Sequence, residues 1–384
     1  TAGRFPFNRR RLDPKQTRSL CDQGIKQPSH LQTCDIQMTD RYQADVPARS
    51  LAFFISPHGF GHAARAASVM EALAEIESSL QFDIFTTVPD WFFANSNSFG
   101  YQYHRLETDI GLVQKTPFQE DLPATLQKLK NFLPFNQSQI AAASEKIRHL
   151  ECQLVVCDIA PMGIRVAKEA GVPSVLIENF TWDWIYQGYE EEEFNEFNSY
   201  LQPIFAEATC HIQTQPICKP ERVDFTAGPA SRKIKSPSSH IRQRLGLSDT
   251  GKVVIITAGG VPKNYGYIDK LKNQTDTHFI IPGASDSEKI QNNLILLPEN
   301  SAYFHPDLIN AADAVIGKIG YSTIAEIYQA GIPFGYCART HYRESKPLVD
   351  FVENHMRGFA IGESEFQNGD WIHRLQDLLA LPRI

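Results

Sequence analysis

The sequence lacks the features that would direct it to a membrane, a disulfide framework or a nucleic acid. None of its apolar runs approaches the roughly 18 residues that a helix needs to cross a bilayer. Its seven cysteines are odd in number and form no CxxC pair, which argues against a closed disulfide framework. The formal net charge of −7 gives no general attraction to a phosphate polymer. We therefore expect a cytoplasmic protein with no transmembrane segment and no nucleic-acid partner.

The composition is that of a globular protein, with 42% hydrophobic and 21% charged residues. A length of 384 residues suggests two or three domains at roughly 150 residues each. Residues 1–49 carry a basic run at 9–11 and little apolar periodicity, which predicts a disordered tail and not a signal peptide. The remainder predicts an N-terminal domain at 50–228 and a C-terminal domain at 251–384, joined by a Pro/Ser/Lys-containing linker at 229–250.

Short apolar runs alternate with amphipathic helical stretches in both predicted domains. The expected strands lie at 51–55, 82–87, 153–157, 174–178, 209–213, 253–257, 278–281, 294–297, 314–316, 334–337 and 359–361. The expected helices lie at 63–76, 137–150 and 322–330, with another beginning at Pro161. This alternation is typical of parallel sheets covered on both faces. The fold class is therefore α/β, with two Rossmann-like, doubly wound domains whose ligands bind in a cleft beyond the carboxyl ends of the strands.

The first predicted strand runs into the glycine-rich sequence SPHGFGHAARA, residues 56–66. Glycines there allow a sharp turn that exposes N–H groups at the positive end of the next helix, where an anionic or polyhydroxyl ligand fits. His62 is the first candidate for a catalytic base because imidazole titrates near neutral pH. The alternatives are a tight turn with polar residues at its rim, or a weak match to a dinucleotide fingerprint with NAD-dependent chemistry. The candidate ligand-binding residues of this turn are His58, Gly59, Gly61 and Arg65.

A second segment of interest is VVCDIAPMGIRVAKEAG, residues 155–171, in which Asp158 directly follows a strand. Pro161 suits the first position of a helix, and Gly171 suits its end. Asp158 is a second candidate for the base, and the alternative is that it caps the helix.

The sequence from Asn179 to Trp184 places two tryptophans around Asp183, just after a strand. Flat apolar rings beside a hydrogen-bond acceptor commonly hold sugar rings, so Asn179 and Trp182 are candidate sugar-binding residues. Asp183 is a third candidate for the base. The alternative for the tryptophans is ordinary core packing.

A third segment, residues 305–334, predicts a glycine turn, a helix capped by Ser322 or Thr323, and a helix end at Gly331. This geometry aims N–H groups at a phosphate, and Glu326 one turn later could accept hydrogen bonds from a ribose diol. The alternative is that Thr323 and Glu326 form an N-cap arrangement. The candidate nucleotide-binding residues here are Lys318, Gly320, Tyr321, Ser322, Thr323 and Glu326.

Two further loops could reach the same ligand. Gly259 and Gly260 follow the first strand of the C-terminal domain and could approach the phosphates. Arg343 and Glu344 lie in a loop after a later strand, where solvated charge is the alternative interpretation.

These segments together resemble the N-terminal, glycosyltransferase-like region of plant L-arabinokinases. The blocks that carry the resemblance occur in one order over roughly residues 51 to 380; they are HGFGHAAR, DIAPMGIRVAKEAGVPSV, NFTWDWIY, PDLINAADAVIGKIGYSTIAE and RESKPL. Kinases of that family continue into a galactokinase-type GHMP domain with its own ATP loop. No such segment occurs in these 384 residues, so we do not expect arabinose phosphorylation.

The layout is similar, more distantly, to the peptidoglycan N-acetylglucosaminyltransferase and other GT-B enzymes. That resemblance implies a C-terminal nucleotide site with Glu326 on the ribose, Thr323 near the diphosphate and Glu344 near the donor sugar. It also matches His62 to a histidine of the N-terminal glycine loop. The sequence departs from these enzymes at Lys318-Ile319 and at Arg343-Glu344-Ser345, where they carry glutamines.

The expected function is transfer of a hexosyl or pentosyl unit from a nucleoside diphosphate sugar, in particular a UDP-sugar, to an acceptor. GT-B sites usually need no metal, so we expect neither a metal ion nor a cofactor. Two alternatives use the same architecture: a hydrolysing sugar-nucleotide 2-epimerase and a non-catalytic sugar-nucleotide-binding module.

Overall fold

The computed structural model describes residues 49–96, 99–258 and 266–384. The tail predicted at 1–49 lies outside the described residues except for Arg49, and so do the candidate residues Gly259 and Gly260. Within these ranges, no helix combines the length and the apolar character that a membrane-spanning helix requires.

Strands and helices alternate along the chain in two series. The first series contains β1 (Ser50–Ile55), α1 (Phe60–Ile76), β2 (Gln81–Thr86), α2 (Trp91–Ala94), β3 (Tyr101–Arg105), β4 (Gln114–Thr116), β5 (Gln119–Glu120), α3 (Leu122–Phe132), α4 (Gln137–His149), β6 (Cys152–Asp158), α5 (Pro161–Ala170), β7 (Ser174–Glu178), α6 (Trp182–Tyr186), α7 (Phe194–Ala206), β8 (Cys210–Thr214) and β9 (Phe225–Ala227). The second contains α8 (Ser238–Arg244), β10 (Lys252–Thr257), α9 (Ile268–Lys272), β11 (Thr277–Pro282), β12 (Lys289–Gln291), β13 (Leu294–Leu297), α10 (His305–Ala311), β14 (Ala314–Lys318), α11 (Tyr321–Ala330), β15 (Phe334–Cys337), α12 (Ser345–His355), β16 (Gly358–Ala360), α13 (Glu363–Asn368), a 3₁₀ turn (Asp370–Arg374) and α14 (Leu375–Leu379).

Each series builds a seven-stranded sheet. The first has the order β3-β2-β1-β6-β7-β8-β9, and all of its pairs are parallel. The second has the order β12-β13-β11-β10-β14-β15-β16, and only the edge pair β12–β13 is antiparallel. We refer to the two units as the first and second domains. The prediction of two doubly wound parallel-sheet domains is confirmed.

Central strands are buried on both faces, as parallel sheets require. Residues 52–55 of β1 and 253–256 of β10 have no exposed surface. Three helix boundaries fall at the predicted residues. Pro161 occupies the first turn of α5, and Gly171 and Gly331 end α5 and α11 in the left-handed conformation with φ of 76° and 66°. The local signals in the sequence therefore fix these boundaries. Helices α1 and α11 begin earlier than predicted, at Phe60 and Tyr321.

The strand order reverses once in each domain, between β1 and β6 in the first and between β10 and β14 in the second. Loops on either side of such a switch point diverge and leave a crevice at the carboxyl ends of the strands. The crevices hold the starts of α1 and α11, which are the segments that the sequence marks as candidate sites.

Candidate active site between the two domains

The starts of α1 and α11 face each other across the cleft between the domains. A Cβ atom placed on Gly61 would lie 3.6 Å from the Oγ atom of Ser322. The guanidinium of Arg65 lies over the ring of Tyr321, 4.6 Å from its centroid. The two glycine-containing bends that the sequence selected are therefore neighbours in space.

A cavity of about 810 Å³ opens beside these helix starts. This volume lies within the usual range for a site that holds a small organic ligand, about 300 to 1,000 Å³. Both domains contribute to its walls. Of the predicted site residues, those that line it are Gly61, Ser322, Thr323 and Glu326.

Helix α11 begins without a side-chain cap. Gly320 occupies the N-cap position with φ of −164°, and no side chain accepts a hydrogen bond there. The prediction that Ser322 or Thr323 caps this helix is therefore wrong, because the helix begins at Tyr321 and places both hydroxyls inside its first turn. No capping side chain competes for the N–H groups of the first turn, which leaves a positive helix end at the cavity.

Glu326, one turn into α11, is buried and held by Arg232 and His305. Its Oε1 atom accepts hydrogen bonds from Nε and Nη2 of Arg232 at 3.2 and 2.8 Å, and its Oε2 atom lies 2.6 Å from Nδ1 of His305. Burial alone would raise the pKa of Glu326, but the charges of Arg232 and His305 outweigh it and lower the pKa to about 2. The N-cap arrangement of Thr323 and Glu326 does not form, and Glu326 is a carboxylate.

Arg232 is also held by aromatic rings from both domains. Its guanidinium lies 4.8 Å from the ring centroid of Phe92 in the first domain and 5.0 Å from that of Phe304 in the second. Arg232 was not predicted as a site residue because it lies in the segment 229–250, whose composition is typical of a linker. His305 was not predicted either, although a histidine directly before Pro306 at a helix start was a visible signal.

A second polar cluster lies on the first-domain side of the cleft, around Asp158. Oδ1 of this residue lies 3.0 Å from Nδ1 of His62, and Arg65 donates to both carboxylate oxygens at 2.8 and 2.7 Å. Burial alone would raise the pKa of Asp158, but the charge of Arg65 and the hydrogen bonds from His62 and Arg65 lower it. The alternative that Asp158 caps α5 is wrong, because Ala160 occupies that position.

The backbone turns sharply directly after Asp158. Ile159 has φ of 46°, in the left-handed region that a β-branched residue rarely adopts, and its side chain is fully buried. Such strain persists only where the surrounding structure enforces it, and it is common at functional sites. No sequence signal marked Ile159.

Asn179 joins this cluster to the second domain. Its Oδ1 atom accepts a hydrogen bond from Nη1 of Arg65 at 2.7 Å, and its Nδ2 atom donates to Oε1 of Glu344 at 2.9 Å. The path from Asp158 through Arg65 and Asn179 to Glu344 therefore crosses the cleft. The sequence selected all four residues but not their connection.

The tryptophans after β7 are core residues. Trp182 is 1% exposed, and its ring packs against His58 at 5.2 Å and Tyr186 at 5.9 Å between centroids. Trp182 therefore offers no free face to a sugar, and the core-packing alternative is the correct one. Asp183 is buried, and burial raises the pKa of its carboxyl group. Among the described residues it makes no hydrogen bond to the cluster around Asp158.

Three other predicted residues lie near the cleft without lining the cavity. Nδ1 of His58 accepts a hydrogen bond from the backbone N–H of Leu112 at 3.3 Å, and burial together with the charge of Arg339 lowers the pKa of His58. Burial and the same arginine lower the pKa of Lys318 to about 7. Arg343 donates to the backbone carbonyl of Trp184 and stacks on its ring.

No group of three or more His, Cys, Asp or Glu side chains within residues 49–96, 99–258 and 266–384 is arranged to hold a metal ion. Metal independence of any reaction stays a prediction from the sequence.

Two doubly wound domains with a ligand cavity between their switch points define the GT-B fold of glycosyltransferases. The solved structure of the spinosyn forosaminyltransferase SpnP superposes with a TM-score of 0.57 at 14% identity, covering 87% of this chain and 91% of that one. No family model matches the chain.

Curated relatives extend the similarity to sequence. The chain is 28% identical over 338 residues to L-arabinokinase of Arabidopsis thaliana, which covers 86% of this chain and 32% of the relative. It is 27% identical over 188 residues to the UDP-N-acetylglucosamine–N-acetylmuramyl-(pentapeptide) pyrophosphoryl-undecaprenol N-acetylglucosamine transferase of Bacillus subtilis (strain 168), which covers 44% of this chain and 48% of the relative. The chain thus spans about a third and about half of these relatives. The resemblance to both that the sequence indicated is confirmed.

Proposed function

We propose that this chain binds a nucleoside diphosphate sugar in the cavity between its domains and transfers the glycosyl unit to an acceptor hydroxyl. The observation that carries the proposal is the uncapped start of α11 in the cavity wall, with the carboxylate of Glu326 one turn further along. A helix start without a competing side chain is a binding site for phosphate oxygens. A buried carboxylate beside it is a hydrogen-bond acceptor for sugar hydroxyls.

The partners of Glu326 determine how much of the ribose it can hold. A carboxylate offers about four acceptor positions. Arg232 fills two on Oε1, and His305 fills one on Oε2. One position on Oε2 is left for a ribose hydroxyl. In this proposal Arg232 and His305 keep Glu326 ionised, so that it can only accept.

His62 is the proposed base. We assign its Nδ1 proton to the 3.0 Å bond with Asp158, which is shorter than the 3.4 Å contact between the same nitrogen and Nη2 of Arg65. Nε2 then carries the lone pair, and within the described residues it has no hydrogen-bond partner. Asp158 orients the ring and stabilises the imidazolium that forms, as a carboxylate does in a catalytic triad.

The proposed reaction uses these groups as follows. The acceptor oxygen attacks the anomeric carbon of the donor sugar while its proton passes to Nε2 of His62. The bond between the anomeric carbon and the diphosphate oxygen breaks, and the nucleoside diphosphate leaves with the electron pair. The positive end of α11 stabilises the charge that develops on the leaving group. The B. subtilis relative is named as a transferase of UDP-N-acetylglucosamine, which supports UDP as the first nucleotide to test.

The test is to incubate the chain with UDP-sugars and a panel of sugar, lipid-linked and small aromatic acceptors, and to follow UDP release together with the mass of the glycosylated product. UDP release that depends on an acceptor and is lost in His62→Ala supports transfer. If UDP and an epimerised sugar form from the donor alone, the reaction is hydrolysing epimerisation and not transfer. Tight binding of UDP without turnover would leave only a binding module, and no binding of any nucleotide would overturn the proposal.

A further inference from the structure

Each domain places one aromatic side chain in the core of the other. Phe118, in the turn between β4 and β5 of the first domain, is 6% exposed and packs among buried residues of the second domain. Its ring meets that of Phe366 on α13 edge-on, with centroids 5.5 Å apart. Tyr342, between β15 and α12 of the second domain, is 4% exposed and belongs to the core of the first domain. The two domains are therefore interlocked at this end of the cleft.

A buried ion pair lies beside these two insertions. Nη1 of Arg339 donates to Oε1 of Glu120 at 2.8 Å, and the two side chains are 6% and 10% exposed. The guanidinium of Arg339 also covers the ring of Tyr342, 3.3 Å from its centroid. Glu120 belongs to β5 of the first domain, and Arg339 follows β15 of the second. We refer to Phe118, Glu120, Arg339 and Tyr342 as the interdomain clasp.

The segment that leads into the β4–β5 hairpin covers the loop that carries the proposed base. Nδ1 of His58 accepts a hydrogen bond from the backbone N–H of Leu112 at 3.3 Å, and a Cβ atom placed on Gly111 would lie 2.8 Å from the His58 ring. Gly111 has φ of 59°, so the chain needs a glycine at this close approach. The rings of His58 and His62 both pack against Trp182, at 5.2 and 6.2 Å between centroids. The clasp is thus joined to the surroundings of His62 through the residues that precede β4.

The clasp leaves the nucleotide cavity open and encloses His62. None of its four residues lines the cavity of about 810 Å³, so a nucleotide can enter while the clasp is shut. His62 does not line the cavity either, and it is 7% exposed. A base must come within hydrogen-bond reach of the proton that it removes, about 2.6 to 3.2 Å between heavy atoms. The clasped arrangement therefore leaves too little of the His62 ring exposed for an acceptor to reach Nε2.

Resting on the proposed function, we propose that the interdomain clasp gates the acceptor path: the nucleotide sugar binds with the clasp shut, and the acceptor reaches His62 when the β4–β5 hairpin withdraws from the second domain. Withdrawal exposes Phe118 and Tyr342 to water and separates Glu120 from Arg339, so the open state is a minor population. A substitution that weakens the clasp raises that population, and with it the access to His62, without touching the nucleotide cavity.

Chemical modification of His62 measures this access without a nucleotide or an acceptor. Diethyl pyrocarbonate carbethoxylates unprotonated imidazole nitrogens, and fragment-ion mass spectrometry distinguishes His62 from His58. In Phe118→Ala, His62 should react roughly 100-fold faster than in the wild type, the factor that corresponds to the loss of a buried phenylalanine side chain. Glu120→Gln removes the ion pair and leaves the Phe118 ring in place, and it should also increase the rate.

A control variant and a binding measurement show whether the effect is confined to the acceptor path. Phe205→Ala removes a ring of similar burial, 7% exposed, from α7 of the first domain, and His62 should react in it at the wild-type rate. Calorimetry should give the same UDP affinity for the wild type, Phe118→Ala and Glu120→Gln, because no clasp residue lines the cavity.

The outcomes distinguish this inference from the proposed function. The gate is overturned if His62 of the wild type reacts as fast as the exposed His149, or if Phe205→Ala accelerates the reaction as much as Phe118→Ala does. Unchanged rates in both Phe118→Ala and Glu120→Gln also overturn it. A loss of UDP affinity in either clasp variant overturns the separation of the acceptor path from the nucleotide cavity. Failure of the wild type to bind UDP or any UDP-sugar overturns the proposed function, whereas the rates of His62 modification are measured independently of it.

Discussion

The Oε1 atom of Glu326 lies 2.8 Å from Nη2 of Arg232 in the buried wall of the cavity. This ion pair joins helix α11 to the segment that connects the two sheets. Glu326 is the one acidic residue of α11, and the ion pair keeps its carboxyl group ionised. Glu326 is therefore both a stability element and the proposed ribose ligand.

The ion pair predicts a specific loss of stability in acid. The pKa of Glu326 is about 2 in the folded chain, below the value of about 4.3 for an unperturbed glutamate. A depressed pKa stabilises the fold above the unfolded value, and this contribution is lost as the pH falls from about 4.5 towards 2. It amounts to about 3 kcal/mol, with more than half lost by pH 3.

Urea unfolding of the wild type and Glu326→Gln between pH 6 and pH 3 measures this contribution. Glu326→Gln should be less stable near pH 6, because Arg232 loses its counter-charge, and the two proteins should converge as the pH falls. Glu196→Gln, at an exposed position of α7, is the control and should follow the wild type. Parallel pH curves for the wild type and Glu326→Gln would contradict the ion pair.

Replacing His62 should affect turnover and not nucleotide affinity. His62→Ala removes the proposed base and should lower the rate of UDP release by about 10² to 10⁴, the usual contribution of a general base. The affinity for UDP should stay within about two-fold, since His62 does not line the cavity. Steady-state UDP release together with calorimetry tests both. His149→Ala, at an exposed histidine at the end of α4, is the control and should keep the wild-type rate.

Asp158→Asn should reduce turnover and also destabilise the chain. The amide no longer fixes the Nδ1 proton of His62, and Arg65, which is 1% exposed, loses its counter-charge. Breaking a buried ion pair costs about 3 to 5 kcal/mol. Thermal unfolding and UDP release should therefore both change. An Asp158→Asn variant as stable as the wild type would contradict the assigned partners.

Lys318 predicts a second rise of stability with pH, in a higher range. Its pKa falls to about 7 in the folded chain, against about 10.4 for an unperturbed lysine, chiefly because of burial. The folded state therefore binds fewer protons than the unfolded state between pH 7 and 10, and wild-type stability rises with pH over that range. Lys318→Met should be more stable than the wild type at pH 7, by about 1 to 3 kcal/mol, and the gain should shrink by pH 10.

Chemical denaturation at pH 7 and pH 10 tests the Lys318 prediction. Lys346→Met, at a lysine that pairs with Asp350 on the surface of α12, is the control and should match the wild type at both values. A Lys318→Met variant that is less stable at pH 7 would show that the amine has a favourable partner.

Metal removal should leave the proposed reaction unchanged. The positive end of α11 is proposed to take up the charge of the leaving diphosphate without an ion. UDP release should then be equal in EDTA and in Mg²⁺. Loss of activity in EDTA that Mg²⁺ restores would contradict this role for the helix.

Local sequence signals predicted the fold well because they act over a few residues. The strands at 174–178, 294–297 and 334–337 have the predicted bounds, and Gly171 and Gly331 end their helices as expected. Apolar periodicity and glycine conformation are sufficient at these places.

The site was only partly predictable, because its contacts join residues distant in sequence. Arg232 lies 94 residues from Glu326, and Asn179 lies 165 residues from Glu344, so no local pattern pairs them. The sugar-binding role predicted for Trp182 is wrong for the same reason. His58, whose ring packs against Trp182, follows a different strand, so the sequence alone does not show that the Trp182 ring is covered. The residues of the glycine bends were found because the turn itself is local.

Binding of UDP to the wild type, Glu326→Gln and Glu196→Gln, measured by calorimetry at pH 7, tests the central claim most directly. The cavity should bind UDP in the wild type and in Glu196→Gln with equal affinity, and Glu326→Gln should bind at least ten-fold more weakly, because the proposed ribose ligand is lost. Equal affinity in all three proteins would contradict a nucleotide site at the start of α11.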